Sequence, residues 1–298
     1  MPSQNSQIPT TSSSSDGKEW YTETLYDHWR QTFCIEEKIY EETTEQQHLI
    51  IFKNSIYGKV LALDGIIQVT EKDEFVYHEM MTHIPLLTHG QAKNILIIGG
   101  GDGGILREVL KHKTVEKVTL VEIDASVIHF SKMHLPNISQ GAFDNPRALV
   151  LVQDGCAFVK NTPETFDVII CDSSDPTGPS AVLFTSEFYG DCHKALNPGG
   201  IFVNQNGVPF MQKEELIHTL AARKLHFKDA AFYLGVLPTY VGGFMAFGWA
   251  SDNKEYQSVS VDELEERLHH IEGELKYYTP AIHKASFALP KFIENFLK

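Results

Sequence analysis

The stretch Ile95-Leu96-Ile97-Ile98-Gly99-Gly100-Gly101-Asp102-Gly103-Gly104 constrains this chain more than any other. Four consecutive large aliphatic residues suit a strand covered on both faces, and such strands build the parallel sheets of α/β proteins. Five glycines in six positions then permit a tight turn, after which Ile105-Leu106-Arg107-Glu108-Val109 resumes with helical spacing. Gly99-x-Gly101-x-x-Gly104, set between a strand and a helix, matches the dinucleotide fingerprint. One residue is out of place in a phosphate cradle: Asp102 puts a carboxylate in the middle of the turn.

Beyond the turn, strand-like and helix-like segments alternate. "KVTLVEI", "ALVLV", "FDVIICD" and "GIFVNQN" read as strands, separated by helical spacing near 125–133, 155–161 and 186–196. Such alternation predicts βαβ units in an α/β, Rossmann-like, doubly wound and mostly parallel sheet. "AAFYLGVL" and "GFMAFGWAS" read as an antiparallel pair closing its edge. Upstream, apolar residues recur every second position in "FCIEEKIYEE", "HLIIFKN", "GKVLALDG" and "IIQVT", with Asp64-Gly65 a hairpin signal. Residues 18–72 therefore read as a small N-terminal antiparallel sheet domain and 73–298 as the Rossmann-like catalytic domain. The catalytic domain opens on a helix, "EKDEFVYHEMMTHIPLLTH", with Phe75, Met80, Ile84 and Leu87 on its core side. Residues 1–17, which include "TTSSSSDG", read as a disordered leader without the apolar core of a signal peptide.

Lys and Arg number 25 against 39 Asp and Glu, a net charge of −14. That balance argues against nucleic acid and anionic membrane surfaces as partners and suits a cationic small ligand. Cys34, Cys156, Cys171 and Cys192 show no regular spacing, which fits reduced thiols in the cytoplasm better than disulfides or zinc. No apolar run approaches the roughly 20 residues of a membrane span.

With the glycine turn itself, two further elements point to an adenosyl group. Glu122 ends the second strand 18 residues past Gly104, where an acid accepts hydrogen bonds from ribose hydroxyls. The competing reading of "VEID" is an exposed acid with Asp124 capping the next helix. Asp154-Gly155 follows the third strand, within reach of an adenine. Asp102 turns the reading away from NAD, because a carboxylate a few Å from a pyrophosphate costs about 1 kcal/mol in water and several times more when desolvated. A sulfonium or ammonium there would gain instead; the simpler alternative is a turn aspartate satisfying local amides.

A second acidic turn, Asp172-Ser173-Ser174-Asp175-Pro176-Thr177-Gly178-Pro179, follows the fourth strand. In a sheet ordered 3-2-1-4-5 the first and fourth strands are neighbours at the switch point, so Asp102 and Asp172 should face one crevice. Carboxylates converging there raise at least one pKa unless a cation intervenes. A proline-bounded surface loop explains Asp175 and Pro176 well, but an aspartate at a strand's end less well. The chemistry that fits is transfer from an adenosyl sulfonium to an amine, with a carboxylate taking the amine's proton. A sulfonium leaves without metal help, and the histidines offer no convincing ligand set: His78 and His83 lie five apart, and His269-His270 sit in a polar tail.

From Trp20 onward the chain resembles the polyamine aminopropyltransferases, the spermidine synthases in particular. The likeness rests on "LALDGIIQVTEKDEFVYHEMMTH", "ILIIGGGDGGILREV", "VEID", "QDG", "DVIICDSSDPTGP", "LFTSEFY" and "PTYVGGFMAFGWAS". It implies a β domain on a Rossmann-like domain, a homodimer or homotetramer, and no cofactor. It also implies transfer of the aminopropyl group of the co-substrate decarboxylated S-adenosylmethionine to putrescine, giving spermidine and 5′-methylthioadenosine. Carried over position by position, Asp172 becomes the general base with Tyr77 beside the attacking nitrogen. Gln47, Glu122, Asp154, Gly155 and Pro179 fall at nucleoside positions, with Gly99 and Gly101 in the turn. Gln68, His78, Asp102, Asp175 and Tyr240 fall at amine-chain positions. Ser173 and Ser174 begin a gatekeeping loop running to Leu183. Other acceptors (cadaverine, agmatine, spermidine), an S-adenosylmethionine methyltransferase, a dehydrogenase and a non-catalytic polyamine binder remain the alternatives.

Overall fold

The computed structural model describes residues 11–43, 47–174, 176 and 178–298. Two compact units divide the chain, Met1–Glu74 and Phe75–Lys298. The first holds two antiparallel sheets. One contains β1 (Thr11–Ser13), β2 (Glu19–Thr22) and β3 (Thr32–Ile35); the other contains β4 (Glu37–Thr43), β5 (His48–Asn54), β6 (Gly58–Leu63) and β7 (Ile66–Thr70). Period-two spacing brings Tyr21, Phe33, Ile35, Ile50, Phe52, Val60 and Ile67 into one core. The β6–β7 hairpin turns on Asp64 (φ 48°) and Gly65 (φ 88°), the left-handed pair that a type I′ turn requires.

Two expectations need correction here. The unit has two sheets rather than one, because the lone residue Glu36 between β3 and β4 is too short for a hairpin and carries the chain on into a second sheet. The leader is ordered over 11–17: Thr11–Ser13 pairs with Glu19–Tyr21, and the Trp20 indole donates to Ser14 Oγ at 3.1 Å across the intervening turn. Low hydrophobicity masked a strand held by its neighbour's aromatic residue. Residues 1–10 of the expected leader lie outside the described residues.

The second unit is built on seven strands ordered β10-β9-β8-β11-β12-β14-β13. They are β8 (Asn94–Gly99), β9 (Lys117–Glu122), β10 (Ala148–Val152), β11 (Phe166–Asp172), β12 (Leu196–Gln205), β13 (Asp229–Val236) and β14 (Phe244–Ser251). Strands β8 to β12 pair in parallel, and β14 lies antiparallel between β12 and β13. The order is the doubly wound one with an antiparallel edge. The helices are α1 (Glu74–His89), α2 (Gly104–Leu110), α3 (Ala125–His134), α4 (Pro136–Ser139), α5 (Gly155–Asn161), α6 (Ser186–Ala195), α7 (Lys213–Lys224), α8 (Val261–Leu268), α9 (Pro280–Ser286) and α10 (Lys291–Phe296). Separate apolar clusters, one around Ile97, Ile105 and Val168 and one around Ile98, Ile169 and Phe188, cover the sheet's two faces.

Helix α1 is buried all round from Val76 to Thr88, not along one face only, and Phe75 is the less covered of its expected core residues. Spacing marks the apolar stripe; it does not show that Glu79, His83 and Thr88 are buried opposite polar partners.

The switch point depends on one close approach. In the β8–β11 register Gly99 stands opposite Asp172, and the Gly100 N–H donates to the Asp172 carbonyl at 3.1 Å. Gly99 has φ 80°, and any side chain on it would overlap that carbonyl oxygen. Gly99→Ala should therefore cost about 2–5 kcal/mol, from a left-handed alanine plus a forced separation of the two strands. A fall in the urea midpoint with little change in slope would register it; a midpoint near the parent's would show that the strands part freely.

Candidate active site

The carboxyl ends of β8, β9 and β11 gather three carboxylates. Asp172, partly buried at the end of β11, accepts a hydrogen bond on Oδ1 from the Tyr77 hydroxyl at 2.6 Å. Burial, then the nearby Asp102 charge, pushes the Asp172 pKa up to about 6, against the opposing pull of the Tyr77 hydrogen bond and of His78. Burial, reinforced by Asp172, holds the Tyr77 phenol well above its ordinary value, so Tyr77 stays a proton donor in the hydrogen bond. Tyr240 stands edge-on to Tyr77 with ring centroids 6.4 Å apart.

Asp102 makes the local turn contact that the simpler alternative expected, and it also meets His78. Its Oδ1 accepts the Gly104 N–H at 2.8 Å, the local turn contact, and its Oδ2 lies 3.2 Å from Nε2 of the buried His78. Each carboxylate oxygen has a second lone pair, so both contacts leave acceptor capacity. Neighbours Tyr77 and His78 on α1 thus reach Asp172 and Asp102 respectively.

Glu122 ends β9 and is buried; its Oε1 accepts the Asp124 N–H at 3.0 Å. A Cβ on Gly101 would stand 2.9 Å from Glu122 Oε2, so the bare turn lets this acid lie against the backbone. Burial raises the Glu122 pKa to about 7, partly offset by the Asp124 N–H. Asp124 caps α3 through the Ser126 N–H at 2.9 Å, the role the competing reading gave it. Asp154 is exposed and caps α5, accepting the Ala157 N–H at 3.0 Å, while Gly155 opens that helix.

The remaining expected residues are less gathered. Ser173 is partly buried and Ser174 exposed, the latter 2.6 Å from Ser180 Oγ. Asp175 and Thr177 lie outside the described residues, and Pro179 falls in the 3₁₀ turn Gly178–Phe184. Gln47 and Gln68 belong to the first unit, where the Gln68 amide donates to the Ile66 carbonyl at 3.3 Å.

Two features escaped the sequence reading. Gln205, buried at the end of β12, stands level with Asp172, because Asn204 pairs with Cys171; strand order alone supplied that signal. His83 sits between His112 Nε2 (2.9 Å) and Glu108 Oε2 (3.0 Å), all three buried, whereas the spacing of the histidines suggested no cluster. The partners come from α1, α2 and the turn after it, separations that no local pattern encodes.

Residues 74–263 match a family model described as the spermine/spermidine synthase domain, and residues 19–71 match the spermidine synthase tetramerisation domain. The chain belongs to the spermine/spermidine synthase family. It is a transferase of aminopropyl groups. A polyamine aminopropyltransferase of Klebsiella pneumoniae (strain 342) is 51% identical over 282 residues, 95% of this chain and 98% of the relative. One from Escherichia coli O139:H28 is 51% identical over 280 residues, 94% and 97%. Among solved structures, a spermidine synthase in complex with the transition state analogue AdoDATO superposes with a TM-score of 0.88 at 40% identity, over 93% of this chain and 94% of that one. The Thermotoga maritima spermidine synthase gives 0.85 at 38%, over 93% of each chain.

The raised pKa of Asp172 has a consequence for stability in this family member. Its folded value, about 6, lies above the ordinary 3.8, so the native state holds that proton more tightly than the unfolded chain does. The cost of ionising it sets in as pH rises from about 4 and is complete above about 7. Asp172→Asn, which cannot ionise, should match the parent's stability near pH 4 and exceed it by something of the order of 1–3 kcal/mol at pH 8. Thermal melts of both proteins across that range check it, and a pH-independent gap would contradict the raised value.

Proposed function

We propose that the chain transfers the aminopropyl group of decarboxylated S-adenosylmethionine to putrescine, releasing spermidine and 5′-methylthioadenosine. The observation that carries this reading is the Asp172 carboxylate, raised in pKa, held by Tyr77 and faced by Asp102. An alkylamine with a pKa of about 10 arrives protonated, and only its neutral form attacks. Asp172 takes that proton while the nitrogen lone pair attacks the propyl carbon bound to sulfur. The carbon–sulfur electrons return to the sulfonium, and the thioether leaves neutral. A base titrating near 6 is ionised at pH 7 yet accepts a proton more readily than an ordinary aspartate.

Glu122, Asp154, Gly155 and Pro179, with Gln47, take the nucleoside in this reading, and Gly99 and Gly101 let it approach the turn. His78, Asp102, Tyr240, Ser173 and Ser174 are assigned to the amine, and Gln68 and Asp175 keep the amine role that the family resemblance gives them. The three carboxylates favour a donor bearing a sulfonium and an ammonium over one that keeps a carboxylate, which disfavours an ordinary methyltransferase. The match of residues 19–71 to a tetramerisation model supports a homo-oligomer. No described helix is long and apolar enough to cross a membrane; the irregularly spaced cysteines support the cytoplasm as its compartment.

Mass detection of products from the decarboxylated donor and a panel of amines tests the reading: spermidine from putrescine is expected, and methyl transfer without aminopropyl transfer would overturn it. In the same assay Asp172→Asn should turn over about 10²–10⁴ times more slowly while still binding nucleoside. A variant within a few-fold of the parent would remove Asp172 from the role of base.

Asp102→Asn probes the donor. The ammonium of the aminopropyl arm should gain about 1.5–3 kcal/mol from a charge-assisted hydrogen bond there, and the same charge should repel intact S-adenosylmethionine. Calorimetric titration should show the variant losing affinity for the decarboxylated donor, with a narrower gap between the two donors. Methylthioadenosine, which lacks the arm, should bind both proteins nearly equally. Equal weakening of methylthioadenosine would mean that Asp102, through its Gly104 contact, shapes the turn and reads no charge.

A further inference from the structure

Helix α1 presents Tyr77 to Asp172 and His78 to Asp102, and the next residue, Glu79, faces elsewhere. Glu79 is buried, and its carboxylate takes three successive backbone N–H groups from the far end of the chain: Lys276 on Oε1 at 2.7 Å, and Tyr277 and Tyr278 on Oε2 at 2.9 and 2.7 Å. The same C-terminal segment grips α1 again at its end. Arg267 Nη1 donates to the Leu87 and Thr88 carbonyls at 2.5 and 2.6 Å, and His283 Nε2 lies 3.1 Å from Thr88 Oγ1. The match to the synthase-domain model stops at residue 263, before Arg267 and the rest of these contacts.

We propose that Glu79 is a positioning residue: by clamping the 276–278 backbone it sets the rotation of α1 that aims the Tyr77 hydroxyl at Asp172. This rests on the assignment of Asp172 as base. With Cα atoms about 2.3 Å from the helix axis and a tyrosine hydroxyl roughly 6.5 Å further out, a turn of about 10° swings that hydroxyl by about 1.5 Å. That is enough to break a 2.6 Å hydrogen bond. Apolar contacts are not directional, so polar contacts fix the rotation of α1: His83 with His112 and Glu108, Thr88 with His283, and the Glu79 clamp, which of these lies nearest to Tyr77 along the helix. Three charge-assisted hydrogen bonds to consecutive amides are directional.

The direction of a pKa change separates this role from a direct electrostatic one. Asp172 is faced by Tyr77 and His78 from α1, by Asp102 from the glycine turn and by Glu122 from β9. Removing the Glu79 charge could by itself only lower the Asp172 pKa, whereas loosening the Tyr77 hydrogen bond raises it. Glu79→Gln keeps one acceptor oxygen and turns an amide N–H₂ toward a backbone N–H. In the unliganded protein, an NMR titration of the Asp172 carboxyl should show its pKa rising by about half to one unit, as in Tyr77→Phe. In turnover, kcat should fall about 10–100-fold, with the acid limb moving up by the same amount and KM for the donor within about twofold. In a Tyr77→Phe background the same substitution should change kcat less than about threefold. An Asp172 titration that stays put or moves down, whatever happens to the melting temperature, would overturn the proposal. If Glu79→Gln does not fold, Glu79→Asp, which keeps the charge and withdraws its reach, should shift the titration the same way by less. A parent protein without aminopropyl transfer would sink the functional reading alone, since the titration reads the role of Glu79 without any turnover.

Discussion

Strands β8 and β11 end level with each other, Gly99 against Asp172, and the site is arranged around that contact. Parallel pairing at the switch point brings two strand ends together with both following loops on the same side. Because Gly99 has no side chain, the Asp172 carbonyl can pack against the turn and receive the Gly100 N–H. Asp172 is thereby tied by its own backbone to the loop that carries Asp102. Strand geometry buries the Asp172 carboxylate and holds Asp102 near it, and burial first, then the Asp102 charge, raise the Asp172 pKa.

Glycine-rich turns in this kind of fold are commonly explained by the ligand they admit. Here the glycines also meet protein. The Asp172 backbone occupies the space beside Gly99, the Glu122 carboxylate that beside Gly101, and the His78 ring that beside Gly104. The turn is bare because the Asp172 backbone, the Glu122 and Val127 side chains, the His78 ring and, beside Gly103, Phe143 and Ser139 pack against it. The same convergence answers the puzzle of an aspartate in the loop. Asp102 bonds its own turn through Gly104 and faces His78, so its charge is partly compensated before any ligand arrives.

Helix α1 links the site to the end of the chain. Three of its buried polar residues meet distant partners: Glu79 the amides at 276–278, His83 the Glu108–His112 pair, and Thr88 His283. Buried polar groups without partners would each cost about 1–3 kcal/mol. The pairing therefore selects one docking of α1 among the many that apolar contacts alone would permit.

Much of the architecture was written locally. The apolar runs at 95–98, 118–121 and 168–171, the glycine turn and the helix-spaced segments between them imply a doubly wound sheet, because each feature acts over a few neighbouring residues. Glu122, Asp154 and Asp172 stand out by their positions at or just beyond strand ends, which the same local signals mark. The order of the parallel strands was legible too, since the alternation implies 3-2-1-4-5 and the sheet runs β10-β9-β8-β11-β12; burial and the pairing of distant side chains were not. The short link at Glu36 sent β3 and β4 into different sheets, and the strand at 11–13 exists only because Glu19–Tyr21 lies beside it. The Tyr77–Asp172 hydrogen bond spans 95 positions, and the Glu79 clamp nearly 200. Such contacts depend on how the sheet twists and where α1 docks, and those are set by the sum of all packing. The sequence by itself determined the doubly wound frame and which acids stand at its strand ends, because those signals act over a few neighbouring residues; only the tertiary structure decided which oxygen meets which hydroxyl, Asp172 Oδ1 and the Tyr77 hydroxyl among them.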